Sequence, residues 1–420
     1  MHGFKNKILL LVQTKHNRMK ENIFKLSTAQ LQEIAVDLQQ KVEIGLNNPK
    51  TEIQCIPTYI KPKTLGVEGQ ATVLDLGGTN YRAAVVSFTD GKAEIYPPDG
   101  WSKDLSVMKT KGFTAANLFA EQASFLKDLK MPAKSPIGYC FSYPAECLPD
   151  GDAKLLRWTK GVDIPEMIEQ PIGKPLKEFL NHSGEPEFTT VKVINDTVAS
   201  LFAGLSDSSF DGYIGLIVGT GTNMATFIHS DKIGKLDKEL NWQGLTPINL
   251  ESGNYRPLHL TAIDEQVDVA SGTADAQRFE KAVSGMYLGK IFTTLFPNDG
   301  FDEKFDAKSL TDLINKPEKQ KKKHVKAARR IYKRSAKLVA ASLAGLVLVM
   351  VAHDPSMKKI CLTAEGSLFW SKVKSCKEYN KLVSKYLKIL LEELGHKDVK
   401  VKVKEIHNAN MIGSAVAALS

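Results

Sequence analysis

Two stretches of the chain share one pattern: an apolar, β-branched run, a short polar turn rich in Gly and Thr, and a second apolar run. The first is VLDLGGTNYRAAVV at 73–86 and the second is GYIGLIVGTGTNMATFIHS at 212–230. Each predicts a pair of strands joined by a tight turn. Around them the periodicity predicts strands at 72–76, 82–88 and 136–143, a helical stretch near 115–129 and a short buried strand at 191–196. A helix marked by Val198, Leu201, Phe202 and Leu205 follows. Leu31, Ile34, Ala35, Leu38 and Val42 recur at helical spacing within 22–46, with Ser27-Thr28 as a start signal, and Pro57, Pro62 and Gly66 mark a connector after it. Helices are expected at 275–293, 326–352 and 379–395, and strands near 358–362 and 398–405. The repeated strand–turn–strand unit implies two related halves, each a sheet with helices on its faces, around a shared cleft.

Length supports that division, since 420 residues exceed one ordinary core. Charge changes the picture only locally. The chain carries a net +9, but residues 316–337 alone carry +10, with eleven Lys and Arg against Glu318. The expectation is a solvated loop and helix face and no nucleic-acid partner, because no aromatic interleaving or known module accompanies the bases. The run at 338–352 has 15 residues, short of the roughly 20 that span a bilayer, and predicts a buried core helix. Residues 8–12 are too short for a signal-peptide core, and residues 1–18, which hold bases and no acids, read as a weak surface-binding tail or as extra residues upstream of Met19. No stable membrane insertion is expected. Five scattered cysteines form neither a disulfide framework nor a zinc site, which points to a reducing, cytoplasmic setting.

Neither Gly-Thr turn fits G-x-x-x-x-G-K-[ST] or G-x-G-x-x-G, and each leads into a strand instead of a helix. Glycine turns still let backbone N–H groups approach an anion closely, and Thr79 and Thr220 add hydroxyls. Asp75 beside such a turn would repel phosphate unless a cation lay between, which hints at Mg²⁺ reached through water. Asp196 follows an apolar strand and opens a helix. It reads either as a helix cap or as a carboxylate at the end of a strand facing a crevice, where it can take a proton from a hydroxyl. Ser142, Thr159 and Lys160 are polar residues beside apolar segments that suit a polyol. Glu251 and Glu280 are ordinary acids on the same terms, and Glu280 on its helix reads equally as solvated.

In order and spacing, LDLGGTNYR, FSYPAE, LLRWTKG, VINDTVASL, GLIVGTGTN, INLESG, AQRFEKAVSGMYLG, TAEGSLFW and GSAVAAL closely resemble the hexokinase family over roughly residues 70–420. The resemblance implies an α/β, actin-like ATPase (ribonuclease H-like) fold with two α/β domains around a central cleft. The small domain would take 66–196 plus 409–420, and the large domain 1–65 plus 197–408. It implies ATP-dependent phosphorylation of a hexose (glucose, mannose or fructose) at its 6-hydroxyl, feeding glycolysis, with Mg²⁺, in a monomer or homodimer. Asp196 then matches the catalytic base and Lys160 a second catalytic group. Ser142, Thr159, Lys160, Asn195, Asn223, Glu251 and Glu280 match sugar-binding positions, as does Asp196. Asp75, Gly77, Gly78, Thr79 and Asn80 match the first phosphate loop, with Asp75 addressing the metal through water. Gly219, Thr220 and Gly221 match the second loop, and Gly366 and Ser367 the adenosine side. Arg82 matches a basic position whose role the motif leaves open.

The chain departs from the family at three places. Ser252 replaces a Trp, Glu365-Gly366-Ser367 replaces Asp-Gly-Ser, and the glycine-rich turn before the last helix is reduced to HNANMIGSAVAAL. The length is that of one catalytic unit, and the duplicated form with a regulatory half is not expected. A sugar sensor without turnover, and an actin-like ATPase acting on another substrate, are the competing expectations.

Overall fold

A computed structural model of the chain describes residues 23–63, 66–77, 80–182, 184, 186–373 and 377–420. The tail at 1–18 and Cys376 lie outside these residues, as do Gly78 and Thr79 of the first turn. In chain order the elements are α1 (Thr28–Asn47), β1 (Ile56–Pro57), β2 (Gly69–Leu76), β3 (Asn80–Thr89), β4 (Lys92–Asp104), α2 (Ala115–Leu126), β5 (Lys134–Phe141), β6 (Ala145–Cys147) and β7 (Ala153–Leu155). Then come α3 (Gly173–His182), β8 (Glu187–Ile194), α4 (Asp196–Gly204), β9 (Gly212–Val218), β10 (Thr222–His229), β11 (Leu245–Asn249), α5 (Ala262–Ala270), α6 (Arg278–Val283) and α7 (Gly285–Leu295). The chain ends with α8 (Ala307–Asn315), α9 (Lys322–His353), β12 (Lys359–Glu365), α10 (Tyr379–Glu393), β13 (Lys400–Lys404) and α11 (Ala409–Leu419).

The two halves expected from the repeated turn are present as two sheets of one topology. The first runs β4-β3-β2-β5-β8 and the second β1-β11-β10-β9-β12-β13. In each, an antiparallel meander is followed by two parallel strands. Only the edge strand β1 distinguishes their orders. Helices α2 and α3 contribute Leu118, Leu126, Leu176 and Leu180 to the core on the outer face of the first sheet. The second sheet shares its core with α1, α6, α7, α9 and α10.

Between the sheets lie α4 and α11. Their buried residues, among them Val198, Phe202, Met411 and Val416, form one core with Val73 and Val86 of the first sheet and Phe227 of the second. Three glycines let these layers approach. A Cβ on Gly138 of β5 would sit 2.0 Å from Ser414 O in α11, one on Gly413 of α11 would sit 1.7 Å from Ala199 O in α4, and one on Gly215 of β9 would sit 2.4 Å from Thr197 O in α4. No side chain fits at such distances, so backbone meets backbone through the middle of the molecule.

Local signals explain the elements. Ser27 caps α1 through a capping box with Gln30, so the helix starts at Thr28, later than the apolar spacing from 22 alone suggests. Residues 92–104 carry no strand signal because Pro97, Pro98 and Gly100 interrupt them, yet β4 forms there as an edge strand, where proline is tolerated. The stretch 275–293 is not one helix. Ser284 is extended (φ −80°, ψ 159°) and separates α6 from α7. The basic segment is only partly the solvated face expected. His324 and Arg334 are buried, His324 facing Asp299 at 3.0 Å and Arg334 gripping Asp264 with two hydrogen bonds of 2.6 and 2.7 Å. The apolar half of α9 is a core helix, 89% buried over its most apolar window, although its length and composition would span a membrane.

The glycine layering makes a prediction. Gly413→Val should lower unfolding stability by about 1–3 kcal/mol or more, the range for overpacking a filled core. Urea denaturation checks it, with Ala417→Gly, a helix change outside the close approach, as comparison.

Candidate active site

A cleft of about 1020 Å³ opens between the two sheets, at the upper end of the size range of small-molecule sites. The antiparallel β9–β10 turn forms one wall. Gly219 N–H donates to Gly221 O (2.9 Å), and α7 is tied to the turn by Gly285 N–H to Gly219 O (2.7 Å) and Met286 N–H to Thr220 O (3.2 Å). Gly366 sits against this turn at φ +110°, with Val218 O 2.3 Å from where a Cβ would stand, so only glycine fits. Gly219, Thr220, Gly221, Gly366 and Ser367 therefore line one side of the cleft together.

Asp196 stands at the floor, where β8 ends and α4 begins. Both readings of it contribute. Asn195, one residue earlier, is the helix cap, its Oδ1 accepting from Thr197 N–H at 2.9 Å, and the Asp196 carboxylate accepts from the same N–H at 2.7 Å while lining the cleft. Burial pushes the Asp196 carboxyl above the usual carboxylate range, and the charge of Lys160 opposes this. Lys160 is open to solvent in the cleft, yet its walls desolvate the ammonium and push it below the usual lysine range, against the pull of Asp196. Its Nζ donates to Ser142 O at 2.6 Å and lies 4.9 Å from the centre of the Tyr143 ring. This bond ties Ser142 and Lys160 into one wall, and Thr159 lines the cleft beside them.

Across the floor, Glu251, Glu280 and Asn223 form a second polar set. Glu280 is not solvated. Its Oε2 accepts from Thr222 N–H at 3.2 Å, and it lies so near the turn that a Cβ on Gly221 would come within 2.6 Å of that oxygen. Burial raises both the Glu251 and the Glu280 carboxyl. Asn249, not singled out from the sequence, joins the set. Its Nδ2 donates to Glu251 Oε1 (2.8 Å) and its Oδ1 accepts from Asn223 Nδ2 (2.7 Å). No strand period links the two, because β11 ends at Asn249 and Glu251 has left-handed backbone at φ 54°. At the position of the family Trp, the buried Ser252 donates its N–H to Asn223 Oδ1 at 3.0 Å.

The first turn sits differently. Asp75, Gly77 and Asn80 adjoin the cleft without lining it. Asp75 is opposite Arg82 in the β2–β3 register, and Arg82 grips its Oδ2, Nε at 3.0 Å and Nη2 closer still. Arg82 also donates to Asn408 Oδ1 at 3.2 Å, so it ties the first hairpin to the start of α11. Gly77 N–H closes the hairpin onto Asn80 O at 3.1 Å. Glu365 and Asn410 are further cleft residues that sequence reasoning left without a role. With its nitrogen turned toward them, the Asn410 amide donates to Glu365 Oε2 (3.1 Å) and Asp196 O (3.2 Å). Burial, with the charges of Asp196 and Asp75, raises Glu365 to about 7.

Comparison with known proteins agrees with this geometry. Family models described as hexokinase match residues 17–205, and 213–297 with 302–420. Hexokinase-2 of Schizosaccharomyces pombe is 32% identical over 309 residues, covering 69% of this chain and 67% of that protein. Hexokinase-1 of Mus musculus is 30% identical over 309 residues, covering 68% of this chain but 31% of that protein, so the chain spans about a third of that relative's length. Among solved structures, the hexokinase of Schistosoma mansoni complexed with glucose superposes with a TM-score of 0.75 at 24% identity, over 96% of this chain and 98% of that one. The ROK hexokinase of Thermus thermophilus gives 0.53 at 17% identity, over 83% and 97%. Both show the actin-like ATPase fold.

Glu365 supplies a prediction. A carboxyl raised from the ordinary glutamate value of 4.5 to about 7 prefers its protonated form in the folded chain. Stability is therefore lost as pH climbs from 4.5 to 7. Glu365→Gln should be more stable than the wild type at pH 8 by about 1–3 kcal/mol, with the difference gone below pH 4.5, as urea titrations across pH would show. From fold, site and relatives together, the chain belongs to the hexokinase family.

Proposed function

We propose that the chain transfers the terminal phosphoryl group of ATP to the 6-hydroxyl of a hexose, glucose, mannose or fructose, and so feeds glycolysis. The observation that carries this is the pairing within one cleft of Asp196, held beside Lys160, with the set of Glu251, Glu280, Asn223 and Asn249, facing the Gly219–Gly221 turn and Gly366. A carboxylate set that hydrogen-bonds hydroxyls rejects an analogue lacking them, because its buried groups would be left unpaired.

The roles follow from position. Glu251, Glu280 and Asn223 hold sugar hydroxyls from the second sheet's side. Ser142, Thr159, Lys160 and Asn195 hold them from the first. Contacts from both walls favour closure, which excludes water as a competing acceptor. Asp196 orients the acceptor hydroxyl and takes its proton. Backbone N–H groups of Thr220 and Gly221, with Gly366 and Ser367, cradle the nucleotide, and Lys160 stabilises charge on the moving phosphoryl. Gly77 and Asn80 of the first turn, which adjoin the cleft, serve the phosphate tail once the cleft closes.

Mg²⁺ fits the acids here. Asp75 and Asp196 lie near enough to raise Glu365 by their charge, a repulsion a cation would relieve. Among the described residues no three His, Cys, Asp or Glu side chains converge as a cage, which suits an ion carried on phosphate oxygens and held by one or two carboxylates. Asp75, through water, and Glu365 would hold it, and bound there it would neutralise phosphate charge. The free thiols of Cys55, Cys140, Cys147 and Cys361 support a reducing, cytoplasmic setting.

Asp196→Asn should lower turnover by about 10²–10⁴-fold, the span of general-base catalysis, while hexose binding stays within a few-fold. A coupled assay of ATP consumption over a panel of hexoses, with sugar titration by tryptophan fluorescence, reads both. Near-normal turnover would remove Asp196 from the role.

A further inference from the structure

A second concavity lies between the segment that enters α1 and the basic half of α9, just before its apolar run. Its volume is about 490 Å³, within the range of small-molecule sites. Five cations line it: Lys25, Arg330, Lys333, Arg334 and Lys337. Among the described residues that line it, none is Asp or Glu. The four from α9 come at helical spacing i, i+3, i+4, i+7, so they form one stripe by construction. The start of α1 opens on the same space through Ser27 and Gln30, adding the positive end of a 20-residue helix.

Two members of the stripe, Arg334 and Lys337, are held in place by neighbouring groups. Arg334 is satisfied by Asp264 through its two terminal nitrogens, but its buried Nε has no hydrogen-bond partner among the described residues, so it contributes field rather than a contact. Lys337 is half-buried, and its ammonium is pushed below the usual range by burial and then by the charges of Lys333 and Lys25. Its Nζ donates to Leu26 O, which fixes it at the mouth of α1. The Lys333 and Lys337 ammonium groups lie over the Tyr386 ring, with Nζ to centroid distances of 5.8 and 5.1 Å. Like charges gathered in a concavity repel each other, and an anion seated among them converts that repulsion into attraction.

We propose that this concavity is a binding site for a small soluble phosphate dianion, either inorganic phosphate or the phosphate of a small monoester. Lysines suit that ligand as point charges with several donors each. The cavity is concave and its walls are lysine stems with Phe24 and Leu26, which fits a phosphate with a small body better than a flat membrane surface. The site is separate from the catalytic cleft and shares no lining residue with it.

Isothermal titration of the full chain with inorganic phosphate and with glycerol phosphate, at constant ionic strength, tests this. The catalytic cleft also offers phosphate turns, so the assignment rests on variants. The double variant Lys25→Gln with Lys333→Gln should weaken one saturable phosphate site about tenfold or more. The control Lys134→Gln with Lys308→Gln removes the same charge at exposed positions elsewhere and should leave it within about twofold. Equal binding by wild type and the Lys25/Lys333 variant, or equal weakening by the control, overturns the proposal. A measurement without variants checks the same point. Phosphate should slow acetylation of Lys25 and Lys333, followed by mass spectrometry, and leave Lys308 unaffected. Unchanged labelling at all three overturns it. Binding only to vesicles of phosphatidylcholine and phosphatidylserine, with none to soluble phosphate, overturns it as well.

Discussion

The backbone-to-backbone contact of α4 with α11 sets the geometry of everything around it. Gly413 allows it, Gly138 and Gly215 extend it to the two sheets, and no side chain separates the four layers at those points. Because packed interiors are dense and stiff, this column fixes where β8 ends, where α4 starts and so where Asp196 stands. The column carries the main junction between the halves, and a smaller one lies between β1 and β6, where Thr58 Oγ1 is 3.7 Å from Cys147 Sγ. Asn410, at the first turn of α11, reaches back to Asp196 O and Glu365 and ties the floor to the column.

Electrostatics in the cleft follow from that placement. Asp75, Asp196, Glu251, Glu280 and Glu365 converge from different elements, and burial raises the last four. Three cations answer them, of which Arg157 acts on Glu251. Arg82 is spent on Asp75 and Asn408, so it works as a brace between the first hairpin and α11, and Lys160 is left as the charge that faces Asp196. An excess of acid over base at this floor suits a ligand that brings hydroxyl donors on one side and a metal-bound phosphate on the other.

What was legible in the sequence was local. The strand–turn–strand repeat gave two sheets of one topology, Ser27 marked the start of α1, and the order of motifs gathered Asp196, Lys160, Glu251, Glu280 and Asn223 at one cleft. What was not legible depends on partners far along the chain. Ser284 breaks a helical pattern because Gly285 N–H is captured by Gly219 O, 66 positions earlier. Arg82 could not be placed without Asn408, nor Glu365 without Asn410. His324 and Arg334 look like surface bases until Asp299 and Asp264 are seen beneath them. The strand β4 was hidden by prolines that only an edge position accepts.

The central claim is that this floor directs phosphoryl transfer to a sugar hydroxyl and away from water. Phosphorus NMR of the purified chain with ATP, Mg²⁺ and glucose tests it most directly. The account predicts that the lost γ-phosphate signal reappears as a phosphate monoester at the sugar's 6-position. Growth of inorganic phosphate in its place, or ATP left unchanged, would contradict it.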